Sequence, residues 1–421
     1  MALATAAYAV LGIARHRTFG STGFDLGLFD QVLWHAGRLE RLASSLKGLG
    51  WIFGDHLSPA LALLAPAGWL GPEGLIVAQA LAVCLAAFPI AAFARPRVGE
   101  RGALALAGAY LLFGGVQEAL FFDVHEVALA PLPIALAVLW ADRGQLRRAT
   151  AAVLFLLLVK EDLALLVVAF GGWFAVLGHR RLGAVVAGVG AAWFLLAVGV
   201  VIPAFGEGAG YAYGQAASPF DGLARKLRTG VYLLVAFGAL WVRSPVALLA
   251  VPLVGVRLLS AEPKHWTLED HYTLTIAPVL ALAAADAFAR RPQLRFGPYA
   301  VVALAVLLTP AFPLRDLVRP ATYRVDPAYA GAAEALARIP PAASVQATNR
   351  LVPHLARRDD VRLLGPAPPR AAWVAAATTD RDPEGSFPLP DAAAVARRVE
   401  RLPGYEVAAR ASGGVVVLRR R

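Results

Sequence analysis

The sequence predicts a mainly α-helical bundle that crosses a membrane many times, residues 1–318, followed by a small α/β domain, residues 319–421. Three observations carry this. Of 421 residues, 58% are apolar and 16% are Asp, Glu, Lys or Arg, whereas soluble domains average about 25% charged. The mean hydropathy is +0.60, and the apolar residues lie in long runs, which excludes a soluble enzyme, a fibre and a disordered chain. From residue 320 onward the apolar runs shorten and Arg, Asp and Pro become frequent.

The runs fall at about 1–14, 74–94, 102–116, 127–140, 150–177, 183–204, 229–242, 245–259, 273–289 and 298–314. The first lacks the basic start of a signal peptide and is shorter than the roughly 20 residues of a full span, so it reads as a first helix that begins upstream of Met1. The net charge is +11, and lysine occurs only at Lys47, Lys160, Lys226 and Lys264. No basic stripe or RNA-binding motif accompanies the arginines, so no nucleic-acid partner is expected. Arg marks cytoplasmic loops instead, and the partner is the lipid bilayer of the inner (plasma) membrane. The lone Cys84 permits no internal disulfide and no cysteine metal site. Nothing in the sequence sets the oligomeric state.

Short basic loops at 95–101, 142–148, 178–181 and 290–295 are assigned to the cytoplasm. Segment 150–177 lies between two of them and carries Lys160, Glu161 and Asp162 at its centre. A charge at the bilayer centre costs about 2.5–3.5 kcal/mol. The segment is therefore read as a broken or re-entrant pair with the triplet lining a wet outer cavity; the alternative is one tilted helix with a buried salt bridge. The outer loops become 15–73, 117–126, 160–162, 205–228 and 260–272, with the C-terminal part also outside. Arg15 and Arg17 go against this charge rule. Within loop 15–73, the spacing of Leu28, Val32, Leu33, Leu39, Leu42 and Leu46 predicts an interfacial helix over 25–46, and 57–70 is re-entrant or interfacial. In the C-terminal part, helices are expected over 326–339 and 391–402, strands over 344–347, 361–364 and 372–377, and a hairpin of 405–411 and 415–419 turning at Ser412, Gly413 and Gly414.

Five polar clusters fall on the outer side: Asp25, Asp30 and Gln31 with Trp34; Asp55 and His56; Asp123, His125 and Glu126; Lys160, Glu161 and Asp162; and Glu269, Asp270 and His271. Singly each has a plain reading. Asp25 caps a helix, His56 is a solvated loop histidine, and the rest mark loops. Together, acids and histidines at one membrane depth are costly unless they line a working cavity. Such a cavity acts by general base catalysis on an acceptor, binds a divalent cation (Mg or Mn) that neutralises phosphates, or relays protons or ions in a transporter. Asp25, Asp123 and His125 are the candidate metal ligands. No phosphate-binding glycine loop, dinucleotide fingerprint or nucleophile elbow is present.

Phe24-Asp-Leu-Gly-Leu-Phe-Asp-Gln31, Gly54-Asp-His-Leu-Ser-Pro59, Phe122-Asp-Val-His-Glu126, Val159-Lys-Glu-Asp-Leu163 and Asn349-Arg-Leu-Val-Pro-His-Leu355 resemble the bacterial membrane-protein family called domain of unknown function 2079. That family is similar to the GT-C class of glycosyltransferases, many-helix bundles with a catalytic acid in the first extracytoplasmic loop and polyprenyl-phosphate-linked sugars as donors. The resemblance covers nearly the whole chain. It implies that Asp25 is the general base or a metal-linked carboxylate, supported by Asp30. It implies that Asp123 and Glu126 hold the acceptor or a cation, and that His56 and His125 contact the donor phosphate. Lys160 would neutralise that phosphate with Glu161 and Asp162 orienting it, and Gln31 and His271 complete the substrate-binding set. The chain departs from the family at Val124 and in lacking Pro after His125. The function expected is transfer of a sugar from a polyprenyl-phosphate donor to an extracytoplasmic acceptor. A transporter or flippase using the same acids, and a non-catalytic scaffold presenting the C-terminal domain, are the alternatives.

Overall fold

The computed structural model describes residues 1–206, 211, 213–358 and 360–421. The chain is mainly helical: α1 Ala2–Arg17, α2 Leu28–Ala36, α3 Pro72–Leu85, α4 Ala87–Leu112, α5 Gly114–Phe121, α6 Pro131–Asp142, α7 Leu146–Val159, α8 Leu163–Val176, α9 Arg180–Leu196, α10 Leu223–Ala236, α11 Ala250–Leu259, α12 Ile276–Ala289 and α13 Gly297–Leu308. Among the described residues, three helical stretches are long and apolar enough to cross a bilayer: Pro72–Leu112, Arg180–Phe205 and Pro292–Ala311. The first is broken at Gly99, whose φ of 75° is left-handed, inside the basic stretch 95–101.

Burial separates two kinds of apolar helix. Every residue of α12 from Ile276 to Ala285 is buried, as expected of a helix apolar all round, so α12 is the spine of the bundle. Only 22% of the apolar window in Arg180–Phe205 and 17% of that in Pro292–Ala311 are buried in the protein, so these two helices turn most of their surface to lipid.

The bundle has two chemically different ends. At one, Arg97 pairs with Asp142 (Nη1 to Oδ2, 3.0 Å), Arg97 Nε lies 4.0 Å from Asp286, and Arg290 pairs with Asp286 at 3.0 Å. These bonds tie together the basic loops at 95–101, 142–148 and 290–295. At the other end, α6 begins after the turn Glu126–Leu129 and α12 after Thr275, next to loops expected on the outer side. Arg15 and Arg17, which break the charge rule, are both engaged locally. Arg15 stacks on Phe121 and Phe122, and Arg17 makes two bonds to Glu73, at 2.7 and 2.9 Å.

Segment 150–177 is interrupted at the charged triplet. Helix α7 stops at Val159, Lys160 is extended (φ −161°, ψ 147°), and α8 starts at Leu163. The continuous tilted helix is therefore not formed. The interfacial helix predicted over 25–46 ends at Ala36. Leu39 adopts a left-handed φ of 59°, and the Glu40 N–H folds back to the His35 carbonyl at 3.0 Å, so the apolar spacing beyond it belongs to an irregular loop. The stretch 57–70 forms short turns, Pro59–Leu64 and Ala65–Gly68. Part of the loop expected at 205–228, residues 207–210 and 212, lies outside the described residues.

The C-terminal part forms a five-stranded sheet, β1 Ser344–Ala347, β2 Asp360–Leu363, β3 Trp373–Ala377, β4 Tyr405–Arg410 and β5 Val415–Arg420, in the order β2-β1-β3-β5-β4. The β2-β1-β3 half is parallel and the β3-β5-β4 half antiparallel. Side chains alternate across it with the period of two that strands impose. Val374, Ala376, Val416 and Leu418 pack under helix α14, Ala392–Glu400, through Val395 and Val399. Val345, Ala347, Ala375, Ala377, Val415 and Val417 share a core with Phe19, Leu26 and Leu33 of loop 15–73. The helix predicted over 326–339 is reduced to Ala332–Leu336. Asp326 caps a tight turn by accepting from the Ala328 N–H at 2.8 Å, and Gly331 at φ 74° ends that turn.

Candidate active site

Residues from all five expected outer loops line one cavity of about 290 Å³, among them Asp25, His56, His125, Glu126, Lys160, Asp162, Tyr211, Tyr213, His271 and Tyr272.

Asp25 enters the cavity from a π-type turn, Gly23–Gly27, closed by the Gly27 N–H on the Thr22 carbonyl at 3.1 Å. Such turns concentrate at functional sites. The Thr22 hydroxyl lies 2.8 Å from Asp25 Oδ2 and 2.9 Å from Asp123 Oδ2, and Asp123 Oδ2 also accepts from the Thr22 N–H at 2.9 Å. One hydroxyl proton cannot serve two carboxylates, so a second proton settles on the more deeply buried acid. Burial pushes Asp123 up to about 7; Arg15, 4.0 Å away, pulls it down and the charge of Asp25 pushes it further up. Because this value lies above the ordinary 3.8, the contribution of Asp123 to stability is whole below the ordinary value. It is lost as pH rises toward the folded one. Asp123→Asn, which is permanently neutral, is expected to gain thermal stability relative to wild type between pH 5 and pH 8. Unfolding scans in detergent that show a pH-independent difference would contradict the shared proton.

His125 stands opposite Asp25, its Nε2 3.4 Å from Asp25 Oδ1. Its backbone N–H donates to Gln79 Oε1 at 2.7 Å, and Gln79 Nε2 donates to the Asp123 carbonyl at 2.9 Å, so α3 fixes the turn that presents both residues. The imidazole stacks on Phe122 and lies 3.7 Å, centroid to centroid, from His271. Burial lowers both histidines below their ordinary range, which leaves each neutral near pH 7.

The cavity floor is a set of buried charges. Lys160 Nζ lies 2.8 Å from Glu126 Oε1. Glu161 meets His56 Nδ1 at 2.8 Å and accepts from the Leu57 N–H and the Tyr211 hydroxyl, both at 3.1 Å. Burial alone raises Glu126, but Lys160, His56 and His125 outweigh it and hold the acid at about 2. Burial and Lys160 depress His56, and Glu161 reverses both, so the imidazole is held above its ordinary range. Asp162 is pushed up to about 6 by burial against the pull of Lys160, and its Oδ1 is buried without a partner among the described residues. At the mouth, Asp55 accepts from Lys47 at 3.2 Å and from the Tyr213 hydroxyl at 2.8 Å.

Four expected site residues do not line the cavity; one is Glu161, which holds His56 as described. Asp123 sits behind Asp25, as described. Asp30, five positions past Asp25 and roughly 140° around a helix, faces the C-terminal part and pairs with Arg357 at 3.1 Å. Burial lifts it to about 6 against that partner. Gln31 braces the following loop through Ser45, donating to its hydroxyl and accepting from its N–H, both at 2.9 Å. The metal expectation does not fit this geometry. Asp25 and Asp123 turn their Oδ2 atoms to one hydroxyl. Among the described residues, no three His, Cys, Asp or Glu side chains group to hold an ion.

Sequence reasoning passed over Arg257. It lines the cavity from α11 and is buried. Its Nε donates to the His265 carbonyl at 3.0 Å, its Nη1 to the Thr273 hydroxyl at 3.3 Å and its Nη2 to the Thr267 carbonyl. These partners are all neutral, and no carboxylate pairs with the guanidinium among the described residues. The signal was available: Arg257 is the only charged residue in the apolar run 245–259, and a charge so placed is a functional marker.

The fold is the GT-C fold of ArnT. The crystal structure of ArnT from Cupriavidus metallidurans bound to undecaprenyl phosphate matches 99% of this chain and 96% of its own, with a TM-score of 0.62 at 15% identity. The apo structure of the same protein matches the same shares with a TM-score of 0.61, also at 15% identity. No curated protein matches the chain. The family model for the predicted membrane proteins of DUF2079 matches residues 15–370, and the chain belongs to that family.

Proposed function

We propose that the protein is a membrane glycosyltransferase that moves a sugar from a polyprenyl-phosphate donor to an acceptor hydroxyl on the extracytoplasmic side. The carrying observation is that a carboxylate, Asp25, and a buried cation, Arg257, which meets no carboxylate among the described residues, line the same cavity. Transfer by direct displacement needs both. As the acceptor oxygen attacks the anomeric carbon, its proton passes to Asp25. The bond from that carbon to the phosphate oxygen breaks, and the electron pair leaves on the polyprenyl phosphate, whose growing charge Arg257 stabilises. A single displacement inverts the anomeric centre. Lys160 is less suited to the phosphate, since its charge is matched by Glu126 at 2.8 Å.

The remaining lining suits a lipid donor. Leu163 and Leu165 of α8 and Pro252, Leu253 and Val256 of α11 make one apolar wall. Val256 is 44% exposed on the outer surface of the bundle, so that wall continues to where lipid would lie. ArnT, which has the same fold, binds undecaprenyl phosphate in its crystal structure, and this supports the same lipid class here.

The test is reconstitution with undecaprenyl-phosphate-linked hexoses and pentoses and a count of undecaprenyl phosphate released. Release with a glycosylated acceptor is expected. Movement of intact donor across a proteoliposome bilayer, with no cleavage, would replace this reading by a flippase. Arg257→Gln is expected to weaken undecaprenyl phosphate binding by about 1.5–3 kcal/mol, roughly 10- to 150-fold, in a titration with the purified lipid. Unchanged affinity would remove Arg257 from the phosphate site.

A further inference from the structure

The segment 349–354, marked out in the sequence, has no part in the cavity. It forms the turn Asn349–His354 just after β1, and it touches the Asp25 loop along its length. Asn349 Oδ1 accepts from the Gly23 N–H at 2.8 Å, and Asn349 Nδ2 donates to the Glu384 carbonyl at 2.9 Å. The carboxamide is buried, and its two ends meet one donor and one acceptor, which fixes its orientation. A Cβ at Gly23 would stand 3.0 Å from Asn349 Oδ1, and one at Gly27 would stand 3.0 Å from Val352. Both ends of the π-type turn are therefore pressed against this segment. His354 stacks on His16 at the end of α1, 4.5 Å between centroids and 9° between planes, and lies 4.1 Å from the Phe19 ring. The C-terminal segment thus grips the turn on both sides of Asp25, at its first glycine and at its last.

We propose that Asn349 is a positioning residue for Asp25: by bridging the Gly23 N–H and the Glu384 carbonyl, it ties the turn Gly23–Gly27 to the C-terminal sheet and keeps the Asp25 carboxylate in the cavity. This rests on the reading of Asp25 as the base. It gives the C-terminal unit a role in the chemistry although none of its described residues lines the cavity. Asn349 does not touch substrate, so it acts on turnover rather than on donor binding.

The experiment uses the full chain in nanodiscs, as wild type, Asn349→Ala, Asn349→Asp and Asp25→Asn. Hydrogen exchange is followed in peptides covering 19–30, with α12 as the internal control. Turnover is followed with the undecaprenyl-phosphate hexose that the wild type cleaves. Losing one buried hydrogen bond is expected to speed exchange at the Gly23 turn by about tenfold in Asn349→Ala. Exchange in α12 stays unchanged, and kcat falls while the donor KM holds. Asn349→Asp still accepts from Gly23 but loses the bond to the Glu384 carbonyl, so it is expected to recover only part of the slow exchange and of kcat. Unchanged exchange at 19–30 in Asn349→Ala overturns the proposal whatever turnover does. Faster exchange with wild-type kcat overturns it too, since Asp25 then needs no such support. If the wild type cleaves no donor, the transferase reading falls, and exchange alone decides whether the tie exists.

Discussion

Asp25→Asn is expected to lower sugar transfer by about two to four orders of magnitude, the usual worth of a general base, with folding and membrane insertion intact. The separation of these two effects follows from the surroundings of the side chain. Asp25 is not a core group, its side chain being 22% exposed to the cavity. Its polar contacts are the Thr22 hydroxyl at 2.8 Å and His125 Nε2 at 3.4 Å, both of which an amide of the same shape can still meet. What the amide lacks is a lone pair basic enough to take the acceptor proton. Removing its charge also removes one of the pressures that keep Asp123 protonated, so any change in stability runs toward gain at neutral pH. The measurement is the initial rate of undecaprenyl phosphate release at saturating donor, beside size-exclusion and thermal-unfolding profiles. A variant that turns over at the wild-type rate would take the base out of the scheme and leave the cavity to a transporter.

Asp25 could be singled out from the sequence because the evidence for it is local. An acid placed among apolar residues just after an apolar run is visible in eight consecutive letters. The same holds for the break at Lys160–Asp162, where the cost of three charges in one lipid-facing helix decides the matter. It also holds for the strand at 344–347, whose polar–apolar alternation is written in the chain, and for 373–377, a short apolar run. What the sequence hid is pairing at long range. Thr22 meets Asp123, Asp30 meets Arg357 and Gly23 meets Asn349 across 101, 327 and 326 positions, and no period in the sequence encodes such contacts. Asp30 and Gln31 were drawn to the cavity by their nearness to Asp25 in the chain, yet helical phase turns them to the sheet and to Ser45. The over-long helix at 25–46 has a related cause. Leucines at helical spacing also suit a loop whose apolar residues sink into a core shared with the C-terminal sheet, as Leu42 and Leu46 do.

Lys160→Met is expected to cost about 3–5 kcal/mol of stability, the range for leaving one partner of a buried ion pair uncompensated. Lys160 and Glu126 lie 2.8 Å apart with side chains 11% and 1% exposed, and Asp162, half-buried, lines the same cavity. In the wild type, Glu126 is held at about 2, below its ordinary 4.5. Its stabilising contribution is therefore complete above the ordinary value and is lost only as pH falls toward about 2. Without the ammonium, burial is opposed by His56 and His125. The glutamate is then expected to move above its ordinary value, which reverses the sign. The variant should be most stable in acid, where Glu126 can be neutral, and should lose stability as pH rises. Adding Glu126→Gln removes the stranded charge and is expected to recover much of the loss, because a neutral pair of similar volume can be nearly as stable as the ion pair it replaces. Unfolding temperatures of the two single variants and the double variant, measured in detergent at pH 5 and pH 8, give the coupling directly. If the double variant is only as stable as the sum of the singles predicts, the two side chains act independently, and the charged floor of the cavity owes its order to the helix ends at Val159 and Leu163 rather than to the pair.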